Sequence, residues 1–198
     1  MLLLEILASV ITLACVWLAT KNNIWSWPVG IVGVILFLVF FYHLALFAEV
    51  TLQAIYIIQG FYGWYNWSKI KNKPPVPITE MTRTEKVGSL GAVAILTGIL
   101  YIVLITFTNA SIPFLDSFTS GTSLVANWWL AKRKLQNWHL WIFIDIFYIG
   151  MFLYKGVFIV AGLYLIFFIL AIYGLYNWKK EYYDWEFEEK SYENSGGY

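Results

Sequence analysis

The sequence predicts an all-α integral membrane protein. Seven transmembrane helices would form two parallel three-helix repeats around one connecting helix, a 3+1+3 order with the N-terminus outside and the C-terminus cytoplasmic. Composition, the sorting of basic residues and an internal repeat carry this expectation. Of 198 residues, 60% are hydrophobic and 13% charged, against roughly 45–50% and a quarter in soluble domains. Seven apolar segments emerge, about 2–20, 27–42, 44–66, 87–108, 112–131, 138–154 and 156–178, and several run to the ~17–25 residues that cross a bilayer.

Seven crossings sort the basic residues by side. Lys21, Lys69, Lys71, Lys73, Arg83, Lys86, Lys132, Arg133, Lys134, Lys179, Lys180 and Lys190 fall on one side, and only Lys155 on the other. Loops rich in Lys and Arg stay in the cytoplasm, which fixes the orientation. Dropping any internal helix would scramble the pattern.

The repeat joins Tyr62-Gly63-Trp64-Tyr65-Asn66-Trp67-Ser68-Lys69 to Tyr173-Gly174-Leu175-Tyr176-Asn177-Trp178-Lys179-Lys180 at an offset of 111. The same offset lays Trp27 on Trp138, Trp17 on Trp128 and Lys21 on Lys132. An odd connector between odd triplets gives both halves one orientation, as in SWEET transporters, and such repeats place a substrate site between the halves near the midplane. The expected divisions are residues 1–67 for the first repeat, 68–108 for the basic linker and connecting helix, 109–180 for the second repeat, and 181–198 for a cytoplasmic tail.

Each segment has local support. The first carries Glu5 where a signal peptide needs a basic start, and Lys21 follows it, so it reads as a retained helix. The lone Cys15 excludes an internal disulfide and reads as a small buried residue. Pro28 stands near the start of segment 2, where a missing N–H costs least. The joins after segments 2 and 6 are short enough for tight helical hairpins. The connection from Ser68 to Lys86 carries Pro74, Pro75 and Pro77 and reads as a solvated linker, ending in a capping box formed by Thr82 and Glu85. Segment 7 should run out into an acidic, aromatic and then Gly-rich tail.

The chemistry concentrates in Gln136 to Asp145. Trp138, Trp141 and Asp145 are spaced i, i+3, i+7, so two indoles and a carboxylate share one helical face. A carboxylate at membrane depth faces a bundle interior or a watery cavity. Beside aromatic planes it suits a flat cation, through stacking and cation–π attraction. The plainer alternative makes Trp138 and Trp141 interfacial residues and Asp145 a helix–helix hydrogen-bond partner. Segment 5 carries Asp116, Thr119, Ser120, Ser123 and Asn127 on one polar stripe, part of which can serve helix contacts. Segment 3 adds Gln53, Tyr56, Gln59, Gly60, Gly63, Trp64 and Trp67, with close packing expected at both glycines. Tyr164 occupies the repeat position of Gln53. His43 and His139 lack any metal or catalytic context, so no enzyme, metal or cofactor is expected, and a net charge of +1 argues against nucleic acid.

The chain resembles the PnuC family of bacterial vitamin-precursor transporters over nearly its whole length. The resemblance rests on Asn137-Trp138-x-x-Trp141-x-x-x-Asp145, on Gln53 with Tyr62-Gly63-Trp64, and on Tyr154-Lys155-Gly156. Trp25-x-Trp27-Pro28-x-Gly30 and Trp128 through Arg133 fit as well. It implies a SWEET-like fold in a bacterial cytoplasmic membrane, a homotrimer, and facilitated diffusion of nicotinamide riboside, with a cytoplasmic kinase trapping the substrate. Trp138 and Trp141 would clamp the ring, Asp145 would meet its charge, and Gln53, Gln59 and Asn137 would bond ribose or amide groups. Tyr56, Trp64 and Tyr164 would complete the lining. Family members that carry nicotinamide riboside have Asn where this chain has Asp145, which lends weight to thiamine as the alternative substrate. Neutral riboflavin fits an anion less well. A non-transporting membrane scaffold or sensor is a further alternative.

Overall fold

Apolar runs divided by polar connections become seven helices among the described residues. These are α1 (Leu2–Thr20), α2 (Ser26–His43), α3 (Phe47–Ser68), α4 (Arg83–Phe107), α5 (Pro113–Ala131), α6 (Asn137–Tyr154) and α7 (Phe158–Asn194). The computed structural model describes residues 2–44, 46–69, 78–154 and 156–194. Lys71, Lys73, Pro74, Pro75, Pro77, Lys155 and the Gly-rich end at 195–198 lie outside them. Four helices, α1, α2, α4 and α7, are long and apolar enough to cross a membrane. The other three, α3, α5 and α6, hold Gln53 and Gln59, a run of hydroxyls and Asp145 respectively.

Local signals account for the boundaries. Thr82 accepts from the Glu85 N–H at 3.2 Å while the Glu85 carboxylate accepts from the Thr82 N–H at 2.7 Å, the expected capping box. It starts α4 at Arg83 rather than 87, because the polar first turn belongs to the helix. Pro113 opens α5. Gly156, at φ +72°, makes the turn before α7 in a conformation that glycine tolerates best. The last helix runs past Trp178 to Asn194, so most of the expected tail is helical. Its polar residues keep helical spacing, with Lys190 and Glu186 paired one turn apart at 2.7 Å.

Within each half the chain packs in order: α1 on α2, α2 on α3, α5 on α6, and α6 on α7. The halves meet where α1 lies against α7 and α3 against α5. Helix α4 packs on α5 alone among these contacts, through Thr97 at Gly121 and a 2.8 Å bond from the Trp129 indole to Ser89. Gly63 lies against the ring of Trp27 and Gly174 against that of Trp138, so both glycines admit an indole where a Cβ would collide. Gly60 likewise admits Ile31.

The end carrying the connections 21–25, 69–82 and 132–136, here the basic end, is a single aromatic core. Trp27, Trp67, Trp138 and Trp178 are buried there with Ala19, Ile78, Ala131 and Leu135. Trp27 meets Trp67, and Trp138 meets Trp178, each edge-on at 5.5 Å, and Trp67 and Trp178 lie 6.0 Å apart. Hydrogen bonds then tie each half to the other's helix end. Asn66 and Trp67 donate to the Ala131 carbonyl at 2.7 and 3.1 Å. Asn177 donates to that of Thr20 at 3.3 Å, and Trp178 to that of Ala19 at 3.0 Å. The last turns of α1 and α5 thereby satisfy carbonyls that a helix end leaves open. Asn22 and Arg133, also 111 residues apart, both take positive φ just after those turns, at 50° and 53°.

Candidate functional site

The interior is built around α5, whose residues Gly121 to Ala126 are all buried. Many of its hydroxyls bond their own helix: Ser117, Thr119, Thr122 and Ser123 each donate to the carbonyl four residues earlier. Of the five residues in the stripe expected to face substrate, Thr119 and Ser123 therefore bond their own helix. What remains open for chemistry is the face that α3, α6 and α7 turn toward α5.

Asp145 lies near the middle of α6 and is 3% exposed. Among the described residues nothing hydrogen-bonds or ion-pairs with it. Holding a charge at this depth costs about 2.5–3.5 kcal/mol on insertion scales. One turn outward, the Tyr148 ring stacks on Tyr164 of α7 at 4.4 Å and 23°, and Tyr164 stacks in turn on Phe152 at 5.4 Å. The Tyr148 hydroxyl lies near Thr119, Ser120 and Ser123, and the Tyr56 hydroxyl lies near Ser123. Tyr56, Tyr148 and Asp145 all lie close enough to Tyr164 to act on it electrostatically. Four helices thus converge on three phenols and on Asp145, and Glu49 of α3 also lies close enough to act on all three phenols.

The structure brings together Tyr56, Asp145 and Tyr164 of the expected set. Trp141, half-buried against the aromatic core, stands one turn from Asp145 toward the basic end. Gln53 is half-buried one turn outward of Tyr56. Gln59 is committed elsewhere: it accepts from Asn127 at 2.8 Å and donates to the Leu124 carbonyl at 3.1 Å, which fastens α3 to α5. Trp64 stands apart at 40% exposure. Eight residues past Tyr56, it is turned about 80° around the helix from it.

Two expectations on α6 are corrected. Trp138 does not offer a ring face to a clamp, because Gly174 covers the ring and Trp178 meets it edge-on. What it has left is a buried indole N–H without a partner. Asn137 is fully buried at the start of α6, about 12 Å along the axis from Asp145. Its amide N–H₂ donates to the Lys134 carbonyl at 2.7 Å, while its oxygen is unpartnered. Tyr148 escaped the sequence reading, although Trp138, Trp141, Asp145 and Tyr148 continue one helical face. At the basic end, Arg133 lies over the Trp67 ring at 4.4 Å, and burial pulls its guanidinium below the usual range while Glu181 opposes the shift.

Seven packed helices, four of them long and apolar enough to cross a membrane, with a buried carboxylate and phenols between them, are the makings of a polytopic membrane protein. A family model described as nicotinamide mononucleotide transporter matches residues 2–180. The chain is 25% identical over 201 residues to the nicotinamide riboside transporter PnuC of Escherichia coli (strain K12), covering 88% of this chain and 84% of that protein. It is 23% identical over 179 residues to the riboflavin/roseoflavin transporter RibM of Streptomyces davaonensis, covering 88% and 83%. The crystal structure of the vitamin B3 transporter PnuC superposes with a TM-score of 0.74 at 23% identity, over 91% of this chain and 82% of that one. The chain belongs to the nicotinamide mononucleotide transporter family. It is a multi-pass membrane transporter, not an enzyme, which sets aside the scaffold and sensor alternative.

Proposed function

We propose that this transporter carries a small cationic vitamin precursor, nicotinamide riboside in first place, across the cytoplasmic membrane of a bacterium by facilitated diffusion. The carrying observation is the buried, unpaired carboxylate of Asp145 beside Tyr148 and Tyr164. A pyridinium entering there supplies the missing counter-charge and stacks on phenol rings. Relatives named as nicotinamide riboside transporters support the choice. Trp141 and the Trp138 N–H would close the ring from the basic end, Gln53 and Tyr56 would meet polar groups of the ribose or amide, and Gln59 would hold α3 in place. Thiamine, also cationic, rests on Asp145 alone and gains no support from the relatives. Riboflavin has a named relative in RibM but leaves Asp145 without a counter-charge.

In this reading the basic end is cytoplasmic, and residues 1–67 and 109–180 are parallel repeats joined by 68–108, with 181–198 as the tail. The paired hydrogen bonds at positions 111 apart support the repeat. The halves rock about the site, and phosphorylation by a cytoplasmic kinase traps the product without ion coupling. A homotrimer fits the outer face of α4, where a Cβ added at Gly88, Gly91 or Gly98 meets nothing within 4 Å.

The test is a titration of purified, detergent-solubilised protein with nicotinamide riboside, thiamine and riboflavin, read by tryptophan fluorescence and melting temperature. Saturable binding of nicotinamide riboside tighter than the other two supports the proposal. A preference for thiamine moves the substrate within the cationic class, and a preference for riboflavin removes Asp145 from recognition.

A further inference from the structure

The segment Ile78 to Met81, just before α4, is strapped across the basic end. The Thr79 N–H donates to the Arg133 carbonyl at 3.1 Å, and the Leu135 N–H to that of Thr79 at 2.9 Å, which pairs Thr79 with Lys134 as a parallel bridge. The Met81 N–H donates to the Gln136 side chain at 2.7 Å. Lys134 adds bonds to the Glu80 carbonyl at 3.2 Å and the Glu85 carboxylate at 3.0 Å. All of these ties except the last run between the strap and the connection 132–136, so the strap belongs to the second half.

Its tip does not stay there. Ile78 is 1% exposed and shares one core with Trp27 and Trp67 of the first half and Trp138, Trp178 and Leu135 of the second. Arg133, from the connection that holds the strap, crosses to the Trp67 ring. The two halves therefore meet around a side chain that neither three-helix bundle supplies. A single linker has no repeat counterpart, so this wedge breaks the symmetry of the end it fills.

We propose that the strap is the gate at the basic end and Ile78 its plug: release toward that side requires the strap to lift off the 132–136 connection, so that Ile78 withdraws from the indoles of both halves. The inference rests on the transport reading above. An isoleucine among four indoles excludes water and any polar solute while it is seated, and this core fills the basic end of α6, inward of Asp145.

Locking the strap tests the proposal. In a Cys15→Ser background, Thr79→Cys and Lys134→Cys put thiols on bridged neighbours, within the reach of a disulfide. Oxidation is expected to slow nicotinamide riboside exchange in proteoliposomes at least about tenfold, reversibly on reduction, while binding in detergent changes less than about twofold. An oxidised protein that exchanges at the reduced rate, its disulfide confirmed by peptide mass spectrometry, would overturn the gate. So would thiols that never join, because the strap then does not lie on the 132–136 connection. If the reduced protein binds no nicotinamide riboside, the substrate reading has failed, and Ile78→Cys alkylation by a small maleimide decides the gate separately. Steady labelling in membranes supports it. Full protection while an exposed Arg83→Cys labels to completion sinks it.

Discussion

Asp145 sits where a charge costs about 2.5–3.5 kcal/mol, and among the described residues no group offsets that cost. Asp145→Asn keeps the shape and removes the charge. It should weaken binding of a cationic substrate about 10–100-fold, a loss of roughly 1.4–2.7 kcal/mol, with no fall in melting temperature. Fluorescence titration of both proteins checks this, and equal affinities would take Asp145 out of the site. Tyr148 separates ring from hydroxyl: Tyr148→Phe keeps the stack on Tyr164 and loses the hydroxyl that lies near Thr119, Ser120 and Ser123. A change in affinity within about threefold, against a tenfold or larger loss in Tyr148→Ala, would show that the ring matters most. Asp145 was legible because one acid in an apolar run stands out on any scale. Trp138 shared its helical face yet packs in the core, because Gly174, 36 residues further on, decides what covers the ring. Periodicity names the face of a helix and says nothing of the neighbour.

At the scale of elements, most boundaries follow from capping and glycine chemistry visible in the chain. The Thr82–Glu85 box formed as read, and Thr82→Ala should cost about 1 kcal/mol. That loss should appear as faster amide exchange in the first turn of α4 rather than as global unfolding. Tight packing at Gly63 and Gly174 was foreseeable as a role for the first glycine, while the partner indoles came only with the tertiary structure. A Cβ at Gly174 would stand 2.7 Å from the Trp138 ring, and helix backbone cannot back away as a flexible side chain can. Gly174→Ala is therefore expected to destabilise by about 1–3 kcal/mol. Thermal unfolding in detergent would show it, whereas Gly162→Ala, where a Cβ meets nothing within 4 Å, serves as the neutral control. The strap at 78–81 was out of reach of sequence patterns, since four residues after a proline-rich run carry no periodicity that could reveal their docking on 132–136.

For the whole molecule, the two halves exchange equivalent bonds, and equivalence makes a quantitative demand. Trp67 donates across the seam to Ala131, whose carbonyl also accepts from Asn66. Trp178 donates across the seam to Ala19, whose carbonyl also accepts from the Asn22 N–H at 3.0 Å. Replacing either indole by a phenyl ring thus removes one donor and leaves the acceptor with another, so no buried carbonyl is orphaned. The net loss of such a bond is about 0.5–1.5 kcal/mol, and the smaller ring adds a further packing loss of similar kind on both sides. Trp67→Phe and Trp178→Phe should then lower the melting temperature by similar amounts, with about 2–4 °C for each kcal/mol lost. One charged asymmetry separates the sites: Arg133 lies over Trp67, while Asn22 holds the matching position in the other half and no cation lies over Trp178 among the described residues. Any inequality should therefore fall on Trp67→Phe, and adding salt should barely change it, because the guanidinium is buried. A clearly larger cost at Trp178 would mean that the two halves do not share the load at their common end, and would count against the proposed rocking of the halves as parallel repeats.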